Sequence, residues 1–194
     1  LPFRIQVLDE PLQAIRQEDL TIRLKVEGNE LPAEVLFKSG NDMLPFRSEP
    51  DGIYSHTIHN LRQDMSFQVV AGGHTFGPYL ISVFPRPVVI SYETAIDYPA
   101  YTGKKDETFS NTGDFVVPEG TRVTWEMITR DTRQVVFYFP EDTVVLDQEG
   151  SNVFSLERMM KKGMTYSITA SNEYLVNPDT MAFAITVIPD IYPT

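Results

Sequence analysis

Residues 119–127 read Glu-Gly-Thr-Arg-Val-Thr-Trp-Glu-Met, and residues 18–26 read Glu-Asp-Leu-Thr-Ile-Arg-Leu-Lys-Val. In the first, Val123, Trp125 and Met127 alternate with polar neighbours. In the second, Leu20, Ile22, Leu24 and Val26 do the same. Successive side chains on a strand point to opposite faces, so this period of two describes a strand with one buried and one solvated side. Both segments also sit in the same place within a longer order. Ala33-Glu-Val-Leu-Phe37 lies against Arg133-Gln-Val-Val-Phe137, and Ile53-Tyr-Ser55 against Val153-Phe-Ser155. Met65–Ala71 lies against Met164–Ala170, and Ile81-Ser-Val-Phe-Pro85 against Ile185-Thr-Val-Ile-Pro189. The offset stays between 99 and 104. One such match is weak, because alternating strands resemble one another. Five in the same order indicate two copies of one β-module.

Outward from these segments the pattern is strand and turn throughout, with no amphipathic helix. Phe3–Leu8 reads as a strand and Gly28-Asn29 ends the one after it. Met43–Phe46 is short and carries Pro45, which fits a sheet edge. Asp51-Gly52 and Gly72-Gly73 are turns, and Tyr79–Phe84 closes the first set. Seven or so short strands per copy is the pattern of a β-sandwich of about 100 residues. Pro85-Arg86-Pro87 is a short, semi-stiff connector, since each proline fixes its own φ and keeps its predecessor extended. The expected fold is all-β: two tandem immunoglobulin-like (fibronectin III-like) sandwiches, residues 1–85 and 86–194. The second copy carries an inserted loop near 98–114. A chain opening at Leu1 without methionine, and a second proline junction at Pro189–Pro193, suggest a piece of a longer modular protein.

Met160-Lys-Lys-Gly-Met-Thr-Tyr-Ser-Ile-Thr-Ala-Ser-Asn172 resembles the sixth strand of fibronectin type III and related immunoglobulin-like domains, through Met160, Gly163, Tyr166, Ile168, Ala170 and Asn172. Trp125 falls where that family keeps a core tryptophan. The resemblance implies a core built on Leu24 and Phe67 in the first module and on Trp125, Phe137 and Tyr166 in the second. Phe67 lacks a hydroxyl and cannot make the hydrogen-bonded corner associated with this strand. Tyr98-Pro-Ala-Tyr-Thr-Gly103, followed by Gly113-Asp-Phe-Val-Val-Pro-Glu-Gly-Thr-Arg-Val-Thr-Trp125, is similar to a family of large bacterial envelope proteins without an assigned activity. That family implies membrane-spanning helices near an N-terminus and a long periplasmic part. The expected setting is therefore the periplasmic or extracellular face of an envelope, within a membrane-anchored parent. In the motif itself, Gly103 allows a turn at positive φ and Pro118–Thr121 turns the chain into the Trp125 strand.

Charge narrows the partners. The formal net charge is −11, and no basic cluster exceeds the pairs Lys104-Lys105 and Lys161-Lys162. Nucleic acid and anionic membrane surfaces both require a positive face, so neither is an expected partner. No apolar run reaches the length of a membrane span, so direct insertion by this segment is not expected. The expected partners are other envelope proteins or further modules of the same chain. There is no cysteine, hence no disulfide and no thiolate metal site.

Catalytic and metal sites find little support. His56 and His59 are three apart, on opposite faces of a strand, and read as surface residues. His74 sits in a Gly-rich turn, and no serine lies in a nucleophile elbow. The acidic candidates Asp9-Glu10, Glu141-Asp142, Asp147, Glu149 and Asp190 lack the spaced Asp-x-Asp pattern of calcium loops and read as solvated turns. No metal, cofactor or enzyme activity is expected. The functional reading is a non-catalytic structural and protein-interaction array. The alternative is a carbohydrate-binding module using the aromatic residues Tyr98, Tyr101 and Phe109 of the inserted loop.

Overall fold

The computed structural model describes residues 1–176 and 179–191, so the junction expected at Pro189–Pro193 falls partly outside the described residues. The chain splits into two compact units, Leu1–Pro85 and Arg86–Thr194. Each is a pair of facing β-sheets, an immunoglobulin-like sandwich.

The first unit contains β1 (Phe3–Val7), β2 (Leu12–Ile15), β3 (Leu20–Gly28), β4 (Val35–Ser39), β5 (Asp42–Pro45), β6 (Arg47–Ser48), β7 (Ile53–Ile58), β8 (Met65–Ala71) and β9 (His74–Phe84). Its sheets run β1-β3-β7-β6 and β2-β9-β8-β4-β5. Strand β5 is an edge, as its proline requires. The opening segment is divided between the sheets: β1 pairs antiparallel with β3, and β2 pairs parallel with β9. The sequence pattern passes directly from Phe3–Leu8 to Glu18 and misses β2. Four residues, Leu12-Gln-Ala-Ile, are too short a run to carry periodicity. Their partner is almost 70 positions away, with Leu12 opposite Ile81.

Leu24 and Phe67 are fully buried, and Phe67 stacks on Phe37 with ring centroids 5.1 Å apart. His56 departs from the surface reading. Its ring stacks on Phe37 at 4.5 Å and leans on Phe46 at 5.6 Å, and it is half-buried. The register explains this, because His56 stands opposite Ile22 on the inward face of β7. His59 is exposed and its Nδ1 meets Asp19 Oδ2 at 2.8 Å.

The second unit contains β10 (Val88–Asp97), β11 (Glu107–Ser110), β12 (Phe115–Pro118), β13 (Arg122–Arg130), β14 (Gln134–Tyr138), β15 (Thr143–Asp147), β16 (Val153–Met159), β17 (Met164–Ser171) and β18 (Thr180–Ile188). The sheets run β11-β10-β13-β16 and β12-β18-β17-β14-β15. The fourth strand of the first sheet lies at opposite edges in the two units. It is β6, beside β7, in one and β11, beside β10, in the other. The segment 98–114 is therefore not simply a loop, since four of its residues extend a sheet.

Trp125 and its inward neighbours Val123 and Met127 are buried, as are Phe137 and Tyr166. Trp125 lies 5.5 Å from Phe137 and 5.5 Å from Tyr166, ring to ring. The hydrogen-bonded corner takes an unexpected form. A tyrosine corner bonds backbone a few residues upstream. Here the Tyr166 hydroxyl donates to the Gly113 carbonyl at 2.7 Å, across 53 positions, and accepts from Trp125 Nε1 at 3.1 Å. Gly113 is required by this approach. A Cβ there would lie 2.5 Å from Phe183 Cγ and 2.6 Å from the Tyr166 hydroxyl.

Candidate functional site

The inserted segment builds a hairpin on the first sheet of the second unit. Strand β10 ends at Asp97, Tyr98-Pro99 continues extended, and Ala100–Thr102 makes one 3-10 turn. Gly103 closes the turn at φ +64°, in the left-handed region that glycine tolerates. The chain then returns as β11, antiparallel to β10, with Ile96 opposite Glu107 and Thr94 opposite Phe109.

Three contacts fix the root of this hairpin. Asn111 N–H donates to Tyr92 O at 2.8 Å, and Asn111 Oδ1 accepts from Tyr92 N at 3.1 Å. Thr94 Oγ1 donates to Thr112 O at 3.2 Å. The Tyr166 hydroxyl holds Gly113, as described above. Asp114 then accepts from Ala184 N at 2.7 Å, which hands the chain to the second sheet, where β12 runs parallel to β18.

The structure separates the three candidate aromatic residues. Tyr98 is partly buried, packs against the core and donates its hydroxyl to Glu107 Oε2 at 2.6 Å. That bond to a carboxylate, with smaller contributions from burial and charge, pushes the phenol pKa up to about 12. Lys104 sits over the same ring, 5.1 Å from its centroid. Phe109 is 37% exposed and leans on Phe115 at 6.0 Å. Tyr98 and Phe109 line one cavity of about 140 Å³ with Ile96, Asp114, Phe115 and Val117, between β10, β11 and β12. Tyr101 is 58% exposed, donates to Glu119 O at 2.7 Å and does not line this cavity. A second, open depression of about 650 Å³ shares Asp114 with this cavity and is lined also by Tyr138, Phe139, Thr165, Tyr166 and Phe183.

Several of the acidic candidates are engaged in ion pairs rather than simply solvated. Asp9 pairs with Arg23 at 2.7 Å, Asp142 with Arg158 at 2.7 Å, and Glu141 with Lys162. The Arg158 guanidinium beside Asp142 holds its carboxyl below the usual carboxylate range. Among the described residues no group of three or more His, Asp or Glu side chains is placed to hold a metal ion. No helix among them is long and apolar enough to cross a membrane. The site combines apolar surface and backbone amides with the carboxylates of Asp106, Glu107 and Asp114 and the ammonium of Lys104.

No family model matches the chain, and no curated protein matches it. Among solved structures, a marsupial T cell receptor is similar over 98% of this chain and 73% of its own, at 13% identity and a TM-score of 0.52. That likeness bears on the fold and supports the immunoglobulin-like assignment. The fibronectin(III)-like modules of CbhA from Clostridium thermocellum align over 96% of this chain and 95% of theirs, at 14% identity and a TM-score of 0.44. The D00-D0 domain of intimin aligns over 96% and 99%, at 11% identity and a TM-score of 0.36.

Proposed function

We propose that the two sandwiches are non-catalytic structural and protein-interaction modules from the periplasmic or surface-exposed part of a larger, membrane-anchored bacterial envelope protein. The observation that carries the interaction role is the hairpin of the second unit. It adds the exposed strand Glu107–Ser110 to a sheet edge, and its root is tied to the core. The hairpin covers the outer edge of β10 and rests Tyr98 on the core, yet it leaves all four residues of β11 exposed as the new edge, and exposed connecting segments held on a rigid scaffold are where partner contacts concentrate. Support for the location is the resemblance of Tyr98–Gly103 and Gly113–Trp125 to the envelope family. The partners are other envelope proteins or further modules of the parent.

A photo-reactive phenylalanine analogue at Phe109, in the parent protein in intact cells, tests this. The expected result is a cross-link to a discrete envelope protein that is absent when the probe replaces Leu80 of the first unit. No protein cross-link from Phe109, or hydrolysis of a substrate panel abolished by a single carboxylate substitution, overturns it. The carbohydrate reading has less geometric support. The cavity beside Tyr98 and Phe109 is well below the roughly 300–1,000 Å³ of small-molecule pockets, and Tyr101 is not part of it. Glycan-array binding lost in Tyr101→Ala would reverse that preference.

A further inference from the structure

Strand β11 is an edge whose outward groups can be identified. Neighbouring pairs in an antiparallel ladder alternate between exchanging hydrogen bonds and not doing so. Asn111 N–H donates to Tyr92 O, so Asn111, Phe109 and Glu107 turn their backbone groups toward β10. Thr108 and Ser110 then turn theirs away from the sheet. All four residues of β11 are exposed. Edge strands are usually blunted by lysine, proline or a bulge. Strand β5 ends in Pro45 and β12 in Pro118, whereas Glu-Thr-Phe-Ser is guarded only by its shortness and the charge of Glu107, and each of its residues keeps an amide donor.

Beside this edge lies the cavity of about 140 Å³, walled by Ile96, Tyr98, Phe109, Phe115 and Val117, with Asp114 also in its lining. Thr112 lines it too, so the lining is polar as well as apolar; cavities of about 150 Å³ hold a ligand the size of benzene, and this one has the size for a single aliphatic or aromatic side chain. The surroundings are acidic on balance: Glu93 and Asp97 on β10, Asp106 and Glu107 at β11, and Asp114, against Lys104, Lys105 and Arg122, the last of which pairs with Asp97 at 3.8 Å. Residues 86–194 carry 9 Lys and Arg against 16 Asp and Glu.

We propose that the β11 edge takes up an extended segment of a partner protein as an added strand. One apolar side chain of that segment enters the cavity, and its outward residues are basic. This rests on the interaction-module reading and names the partner's chemistry. Main-chain hydrogen bonds to Thr108 and Ser110 supply affinity. The cavity and the acidic rim supply selectivity. An edge of four residues makes the contact small and transient.

The probe is the peptide acetyl-Lys-Val-Lys-Leu-Lys-Val-Lys-amide, followed by amide NMR of the full chain. The expected result is shifts and slowed exchange at Thr108 and Ser110, with affinity at least about tenfold weaker for the analogue carrying Glu in place of Lys. The variant Thr108→Pro removes an outward N–H and leaves the β10 ladder intact, since edges tolerate proline there. It should keep the fluorescence of buried Trp125 and lose binding about tenfold or more. Absence of shifts at β11 up to about 1 mM peptide, shifts confined to β15 or β5, or equal binding by Thr108→Pro, each overturns the proposal. The interaction-module reading fails separately, on the absence of a cross-link from Phe109.

Discussion

Replacing Tyr166 with phenylalanine removes one oxygen atom from the core of the second sandwich and tests what holds the hairpin root. The ring stays, so its contacts with Trp125 at 5.5 Å and Phe139 at 5.7 Å remain. What is lost is a hydroxyl that accepts from Trp125 Nε1 at 3.1 Å and donates to Gly113 O at 2.7 Å. Trp125 is 0% exposed and Gly113 is buried, so water cannot readily replace either bond. A buried donor or acceptor left without a partner costs about 1–3 kcal/mol. Two of them give about 2–4 kcal/mol, allowing some relaxation. For a unit near 100 residues that is a fall in Tm of about 10 °C or more. Trp125 is the sole tryptophan of the chain, so its fluorescence in urea reports on the second unit alone. The expected result is a lower midpoint for that transition, at unchanged slope, with altered indole emission in the folded state. A loss under about 0.5 kcal/mol, the range of ordinary surface substitutions, refutes the reasoning. So would unchanged emission, because it would mean the indole N–H never relied on Tyr166.

Gly113→Ala should cost at least about 1–3 kcal/mol by overpacking, because the new methyl meets Phe183 at 2.5 Å with a buried ring behind it; the same tryptophan-detected urea titration measures it. His56 gives the first unit a pH dependence. Burial against Phe37 and Phe46 lowers its pKa below the ordinary 6.5, outweighing a hydrogen bond to the Pro45 backbone. The unfolded chain therefore binds the proton more readily. The contribution is complete above about pH 6.5 and is lost as pH falls through the folded value. Tyrosine-detected unfolding at pH values on either side of 6.5 should show a lower midpoint on the acid side, and His56→Phe should flatten the change. Glu107→Gln should bring the Tyr98 phenol from about 12 back toward 10 in a spectrophotometric titration, since the bond to a carboxylate is the largest cause of its rise. A Tyr98 value unmoved by that change would place the cause elsewhere.

The core of both units was legible because it depends on alternation. Leu24, Phe67, Trp125 and Tyr166 lie on strands whose apolar residues recur every second position, Phe137 lies in the continuous apolar run Val135–Phe137, and all five are buried. Turns were legible for a local reason also: Gly52 and Gly103 take positive φ where the chain reverses. His56 was misplaced because a lone polar residue on an inward face breaks the pattern used to find that face. Strands β2, β11 and β12 are four residues each, which is shorter than the run alternation needs. The candidate site stands out in the sequence by length, as extra chain between two matched blocks. Its organisation does not, since Tyr98, Tyr101 and Phe109 stand within eleven or so positions of one another yet only two of them line the same cavity.

Alternation, turn chemistry and a repeated order of segments are properties of neighbouring residues, and they suffice to identify an all-β chain of two sandwich-sized modules, the faces of its longer strands that turn inward, and the length and place of the insertion. Pairing is a property of residues far apart, and it is visible only in the folded chain. It set β11 at an outer edge beside β10, ran β12 parallel to β18, and brought Gly113 against Tyr166 across 53 positions. The physical reason is that a strand states which of its faces is apolar but not which backbone will satisfy its amides. The amides of β11 that point away from β10 have no neighbouring strand of the sheet, because the sheet ends at β11.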